Sequence, residues 1–302
     1  DEITGGKGVV FATGTPISIV IRNTDQRSHD YSNIMDVYRP GHADYTFDEK
    51  YGFRDYRGGG RSSARETIGR VAAGAIAAKL LGELGITVDA YVESIGPVSI
   101  SMDRFNLEEA RRNPTGMPDA EASAQAEEYL QKCIENQDSA GGVVSCKVHG
   151  MPAGIGEPVF DKLDACLGQA VMSIGAVKAF AVGDGCEVSK KNGSTNNDAF
   201  CNVNGQISKK TNHAGGILGG ISDGSDIILR AYFKPTPSIY QKQQTVNQAG
   251  EEIEIQIKGR HDPIVVSRAV VVVEAMTAVT ILDELLRNMT SRLDGIKKFY
   301  HK

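Results

Sequence analysis

The stretch from Arg39 to Glu66 is the one around which the remainder of the chain has to be arranged. It reads Arg39-Pro-Gly-His42-Ala-Asp44, then Tyr51-Gly-Phe-Arg54-Asp55-Tyr56-Arg57-Gly-Gly-Gly60-Arg61-Ser62-Ser63-Ala64-Arg65-Glu66, so five arginines, a histidine and two serines surround a run of glycines. Glycines let backbone N–H groups approach a ligand closely. Arginines add forked, permanently charged donors that match carboxylate and phosphate oxygens. From Glu66 onward the residues Thr67 to Leu81 turn helical. The Ser62-Ser63-Ala64-Arg65-Glu66 segment therefore falls at a helix start, where free amides and the positive dipole end favour an anion. The plain alternative is a glycine-rich surface loop with solvated arginines.

Composition narrows the class. The chain has 302 residues, 40% hydrophobic and 24% charged, as in an ordinary soluble globular protein. A net charge of −5 argues against general nucleic-acid binding, so any anion site must come from local arginine clusters. No apolar run approaches the length of a membrane span. Cys133, Cys146, Cys166, Cys186 and Cys201 are odd in number and lack C-x-x-C spacing. They read as reduced thiols of a cytoplasmic protein. The first residues, Asp1-Glu-Ile-Thr, include neither an initiator methionine nor a signal peptide, and we expect the natural chain to begin upstream.

Periodicity supplies a coarse secondary structure. Ile17 to Ile21 is apolar and β-branched, as in a buried strand, and Asn23 to Ser28 is a polar turn. A helix from Ala64 to about Leu84, rich in alanine, ends at Gly85. Ile86 to Ile95 alternates like a strand. Residues 101–142 are polar and acidic, with a helix over Asp119–Ile134, and are expected to cover one face of a sheet. A strand over Gly142–His149, a turn, a helix beginning near Asp161 and a strand near Ala179–Val182 follow. Two such strand–helix blocks predict an internally repeated α/β architecture in a single domain over residues 1–302. The segment Lys190 to Lys210 reads as a polar loop, and the glycines of Asn212–Gly220 as a tight turn between strands. Ile227 to Phe233 is a strand delivering Lys234-Pro-Thr-Pro-Ser238, a loop stiffened by two prolines. Ile264 to Val273 is strongly β-forming, Glu274 to Leu286 helical, and the tail after Asn288 polar and peripheral.

Histidines discriminate among chemistries. His42 lies among arginines, where a core role is implausible. His213 sits beside glycines, open to a structural or a catalytic reading, and His261 lies between Arg260 and Asp262 on one short turn. His29, His149 and His301 have no acid or cysteine at ligand spacing, so no metal site is expected.

Two segments, Arg-Pro-Gly-His-Ala-Asp-Tyr-Thr from Arg39 and Asp-Tyr-Arg-Gly-Gly-Gly-Arg-Ser-Ser-Ala-Arg-Glu-Thr from Asp55, closely resemble the signature of chorismate synthase. The resemblance extends from about Thr13 to Leu286. It implies an α/β sandwich of sheets and helices, a homotetramer, and an anti-1,4-elimination of phosphate from 5-enolpyruvylshikimate 3-phosphate. It also implies reduced FMN (FMNH2), supplied through an external flavin reductase or NADPH, although no net oxidation occurs. A substrate with two carboxylates and a phosphate needs several positive groups, which accounts for the arginine density independently of the family.

Position by position, the resemblance makes Arg61, Ser62, Ser63, Gly175, Ala176, Gly219, Lys234, Pro235, Thr236, Pro237, Ser238 and Arg260 flavin contacts. Arg39, Ser63, Ala64, Arg65 and Arg260 become substrate contacts. His42 becomes the acid that protonates the reduced flavin, and Asp262 the carboxylate that assists proton removal. The family's early Gly-Glu-Ser-His-Gly-like motif and arginine-rich segment have no match here. Loss of a positioned general acid commonly costs about 10²–10⁴-fold in rate. A flavin-binding or oligomer-scaffolding remnant is therefore the rival expectation, and an unrelated nucleotide-binding protein a weaker one.

Overall fold

Alternating apolar residues along four long segments build the sheet that carries the molecule. The computed structural model describes residues 2–4, 9–11, 14–22, 34–57, 63–257 and 262–301. In chain order, the hairpin β1 (Glu2–Thr4) and β2 (Val9–Phe11) is followed by α1 (Asp44–Tyr51), α2 (Thr67–Glu83), β3 (Thr87–Ile95) and β4 (Val98–Ser99). Next come α3 (Leu107–Ala110), α4 (Ala120–Glu135), β5 (Gly142–His149), α5 (Leu163–Met172) and β6 (Val177–Val182). Short elements follow: α6 (Gly193–Asn196), β7 (Phe200–Val203), β8 (Gln206–Lys209), β9 (Ile217–Leu218) and β10 (Ile221–Ser222). The chain closes with β11 (Ile227–Phe233), β12 (Gln243–Val246), β13 (Glu252–Ile255), α7 (Val266–Asn288) and α8 (Leu293–Tyr300).

The main sheet has the order β4-β3-β5-β11-β6, with every neighbouring pair antiparallel. Register sets Val92 opposite Val144, and Leu229 opposite both Cys146 and Val182. Side chains alternate across a strand, so Ala90 and Val92, Val144, Cys146 and Val148, and Ile227, Leu229 and Ala231 share one buried face. Helix α7 packs on β3 and β5, α5 packs on β6, and α2 lies against α7. Strands β5 and β6 flank β11 and run parallel to each other, with α5 in the connection between them. The expected strand–helix block is thus real, although β11 is inserted antiparallel between its strands. Helix α4, capped by Asp119 through the N–H groups of Glu121 and Ala122, puts Ala122, Ala126 and Cys133 into the core beside β4.

Close approach of α2 and α7 depends on Gly74. A Cβ there would lie 2.3 Å from Ala275 Cβ and 2.5 Å from its Cα. At the helix end Gly85 adopts φ +73°, the left-handed conformation that stops α2 where the sequence predicted.

Three expectations need correction. Ile17 to Ile21 forms no strand; Ile17, Ile19, Val20 and Ile21 are each more than half exposed. The β-branched run up to Val273 belongs to α7, which begins at Val266. Helix propensity costs up to about 0.7 kcal/mol per residue, whereas burying a valine or isoleucine gains about 1.5–3 kcal/mol. Val266, Ala269, Val273, Ala278 and Ile281 are all buried at helical spacing, so packing wins. Within the predicted loop 190–210 lie α6 and the β7–β8 hairpin, held at its base by the buried ion cluster of Lys209 with Asp198 (3.4 Å) and Asp223 (2.6 Å). After Asn288 the chain forms helix α8, none of whose residues is buried. Among the described residues, no helix is long and apolar enough to cross a membrane.

Candidate functional site

The Arg39-Pro-Gly-His42 turn is pressed against the Lys234–Ser238 loop that leaves the end of β11. Gly41 has φ +70°, and a Cβ there would come within 2.8 Å of Pro237 Cβ. Lys234 Nζ donates to the Gly41 carbonyl. His42 Nδ1 is 3.1 Å from the Pro40 carbonyl, and its Nε2 is 3.1 Å from Ser238 Oγ. A carbonyl can only accept, so Nδ1 carries the hydrogen, and in the neutral ring Nε2 accepts from the serine hydroxyl. Burial, then the charges of Arg39 and Lys234, pull the His42 pKa down to about 4 against the opposing Pro40 carbonyl and Asp44.

Both Asp44 oxygens are taken by Arg39: Oδ2 receives Nε at 2.7 Å and the backbone N–H at 3.1 Å, and Oδ1 receives Nη2 at 2.8 Å. Burial pushes the Asp44 pKa up, but Arg39's hydrogen bonds and charge, helped by Arg54, leave it below the ordinary carboxylate value. Arg54, from the turn after α1, lies 3.4 Å from Asp44 Oδ2.

A second wall comes from the α5–β6 turn. The Lys234 N–H donates to the Ala176 carbonyl at 3.0 Å. Ala176 has φ +72°, a conformation that strains a residue with a Cβ and concentrates at functional sites. The space over Gly175 is open: a Cβ there would meet nothing within 4 Å. Burial and then the charge of Lys178 lower the Lys234 pKa, as two crowded cations do without an anion between them.

The start of α2 joins the same assembly. Ser63 caps the short turn Ala64–Glu66, accepting from the Arg65 N–H at 3.3 Å. Arg70 pairs with Glu66 at 2.9 Å and donates to Ser173 Oγ at 2.6 Å, tying this turn to the one that holds Gly175 and Ala176. On another side, Ser139 Oγ donates to the Thr236 carbonyl at 2.6 Å, and the Ala140 N–H to the Pro263 carbonyl at 2.8 Å. Pro263, which follows Asp262, is thus held by the residue after Ser139, the donor to Thr236. The Asp262 carboxylate pairs with Arg268 at 2.6 Å and is about half exposed.

Hydrogen bonds thus join the Arg39–His42 turn to the Lys234–Ser238 loop, that loop to Ala176 and Ser139, and the start of α2 to Ser173. Gly219 stands apart. It turns the β9–β10 hairpin, which adjoins the Ile227 end of β11 through Gly216 and Asp223, whereas Lys234 follows the other end. Seven residues of strand separate those ends, roughly 20 Å at the usual rise. Arg61, Ser62, Arg260, His261 and the turn Asn23–Ser28 lie outside the described residues.

His213 belongs to a different cluster. Its Nδ1 lies 2.6 Å from Asp184, which also pairs with Lys191, and its N–H donates to Asp198 at 2.7 Å. These bonds tie His213 to the loop after β6. His149 pairs with Asp226 at 3.2 Å, an acid distant in sequence that spacing could not reveal. Sequence reasoning also missed Asp44, Arg54, Arg70 and Ser139 as organisers; the only available signal was that the first two fall within the Arg39–Glu66 stretch.

Residues 1–286 match the family described as "Chorismate synthase". A "Chorismate synthase" of Lachnoclostridium phytofermentans is 64% identical over 291 residues, covering 96% of this chain and 79% of the relative. One from Agathobacter rectalis is 59% identical over 301 residues, covering 100% of this chain and 82% of its own length. A solved structure described as "Crystal Structure of Chorismate Synthase" superposes with a TM-score of 0.69 at 29% identity, covering 86% of this chain and 75% of that one.

Proposed function

The chain belongs to the chorismate synthase family, and we propose that it eliminates phosphate from 5-enolpyruvylshikimate 3-phosphate to form chorismate at the Arg39–His42–Lys234 site, the last step of the shikimate pathway. In this reaction the allylic C–O bond to phosphate breaks, a ring C–H loses its proton, and the electron pair becomes a ring double bond. The observation that carries the reading is the docking of the His42 turn on the Lys234–Ser238 loop, which gathers cations around a polarised histidine. The family resemblance favours this enzyme over a flavin-binding remnant.

Reduced FMN fits the residues available. Thr236 Oγ1 is buried without a hydrogen-bond partner among the described residues, the surface over Gly175 is open, and Lys234 adds a crowded cation. We assign flavin contacts to Ser63, Gly175, Ala176 and Lys234 to Ser238, and to Arg61, Ser62, Gly219 and Arg260 by resemblance alone. When bound, the reduced flavin supplies electron density to the C–O bond that breaks.

The protein's own groups bind, orient and move protons. Arg39, Ser63, Ala64, Arg65 and Arg260 hold substrate anions, Arg39 with its guanidinium oriented by Asp44. His42 starts neutral; as anions offset Arg39 and Lys234, it takes a proton at Nε2 and holds it as a general acid, while Pro40 keeps the ring oriented. Asp262 assists proton removal once substrate displaces its exposed partner Arg268. We assign a homotetramer, an external flavin reductase or NADPH as the source of reduction, and a cytoplasmic location consistent with five free thiols.

The test is an anaerobic assay with chemically reduced FMN and 5-enolpyruvylshikimate 3-phosphate, following chorismate and released phosphate together. Equal formation of both is expected. Flavin binding without either product would favour the remnant instead.

A further inference from the structure

Arg54 is a deeply placed cation near the site, with a side chain only 5% exposed. Its Nη2 donates to three carbonyls, Ile34 at 2.9 Å, Met35 at 2.8 Å and Val37 at 2.8 Å. Its Nη1 is 3.4 Å from Asp44 Oδ2, and its Nε is 3.9 Å from Asp48. Nε and Nη1 are both buried and lack a hydrogen-bond partner among the described residues, so charge alone holds that side of the fork. The guanidinium also lies 5.4 Å from the ring centroid of Tyr38, the residue before Arg39.

We propose that Arg54 is a positioning residue for the elimination, holding Asp44 and the 34–38 segment so that Arg39 stays aimed toward the substrate. This rests on the assignment of Arg39 as a substrate clamp. Asp44 alone would pair one-to-one with Arg39, giving a neutral couple with little attraction for an anion. Arg54 brings a second guanidinium to Asp44 and also faces Asp48 at 3.9 Å, so two guanidinium groups share two carboxylates and Arg39 does not bear the Asp44 charge alone. Arg54 therefore draws part of the Asp44 charge away from Arg39 and sets the position of the carboxylate that aims it. The three carbonyl contacts do the same for the backbone leading into Tyr38, which is itself pinned to β12 by the Tyr38 N–H on the Val246 carbonyl at 3.2 Å. Arg54 is buried beneath this loop, so its effect on the ligand passes through Arg39.

Arginine is required by shape. Carbonyls converge on one arm of the fork while a carboxylate lies beside the other, and the compact ammonium of lysine cannot meet both. Arg54→Lys keeps the charge and loses the fork; Arg54→Met loses both. Substrate affinity is read by calorimetry with 5-enolpyruvylshikimate 3-phosphate, and kcat and KM by the reduced-flavin assay, on variants whose circular dichroism matches the parent. In Arg54→Lys, Kd and KM should rise about tenfold or more with kcat within about threefold, and in Arg54→Met further still, because an uncompensated buried carboxylate then neutralises Arg39. Unchanged Kd and KM in folded Arg54→Lys, or a loss of kcat alone that follows thermal stability, would overturn the proposal. If the parent protein binds the substrate yet makes no chorismate, the enzymatic reading fails while the calorimetric comparison still tests Arg54.

Discussion

Ser238 Oγ stands 3.1 Å from His42 Nε2 although 196 residues separate them in the chain. The serine leaves the end of β11 and the histidine precedes α1, so this contact joins two halves of the site. With Pro40 accepting from Nδ1, it selects a single neutral tautomer whose Nε2 lone pair accepts from the serine hydroxyl and is the site that takes up a proton. Ser238→Ala removes the hydroxyl and leaves the loop prolines in place. One hydrogen bond is worth about 0.5–1.5 kcal/mol. We expect kcat to fall roughly 2- to 13-fold, with flavin affinity changed by less, as measured in single turnovers.

The His42 ring should make stability depend on pH in a defined window. Its folded pKa, about 4, is below the ordinary value of 6.5, so the unfolded chain binds the proton more readily. Its destabilisation is therefore absent above about pH 6.5 and grows as pH falls toward 4. Partial exposure limits the total to about 1–3 kcal/mol. Asp44 has a depressed pKa, so its contribution is present above its unfolded value and is lost only as pH falls below about 4. Urea titrations at pH 7 and pH 5 should show a smaller pH loss in His42→Gln than in the parent.

Lys234 anchors both loops. Replacing it with methionine keeps the stem, removes the donor to Gly41, and withdraws a cation from the anion site. A hydrogen bond to a charged group is worth about 1.5–3 kcal/mol, so flavin and substrate affinities should weaken roughly 10- to 150-fold. Fluorescence titration with FMN reads the first and KM the second; unchanged values for both would move the anion site elsewhere.

Gly74→Ala sets two effects against each other. Alanine favours helix by about 1 kcal/mol, but its methyl would lie 2.3 Å from Ala275 Cβ, and overpacking of this kind costs about 1–3 kcal/mol. Because the obstacle includes Ala275 Cα, the clash should prevail. Tm is expected to drop by a few degrees, visible in a calorimetric melt.

Gly41→Ala combines a positive φ with a 2.8 Å approach to Pro237. Left-handed backbone alone costs an alanine about 1–2 kcal/mol. We expect this variant to remain folded and to lose most of its activity, since the His42 turn must lift from the Lys234–Ser238 loop.

Elements with clean periodicity are legible in the sequence. Strands at Gly142–His149 and Ile227–Phe233, the helix ended by Gly85, and the Asp119-capped α4 lie where the sequence places them. In those segments local preference and burial agree. Val270 to Val273 misled because β-branched residues favour strands in isolation, while here they lie in α7, with Val272 and Val273 buried and Val271 exposed. Ile17 to Ile21 misled for the opposite reason: an apolar run becomes a strand only when a neighbouring strand accepts its hydrogen bonds.

By itself the sequence determined the family, the α/β class and which residues bring anion-binding chemistry, because glycine, arginine and histidine carry those properties wherever they fall. Tertiary structure alone decided that Ser238 meets His42, that Arg70 joins α2 to Ser173, and that Asp44 lies between Arg39 and Arg54. Such pairings depend on where β11, α5 and α1 end in space. Those positions follow from strand register and helix packing summed over the whole core, which no local stretch of sequence encodes.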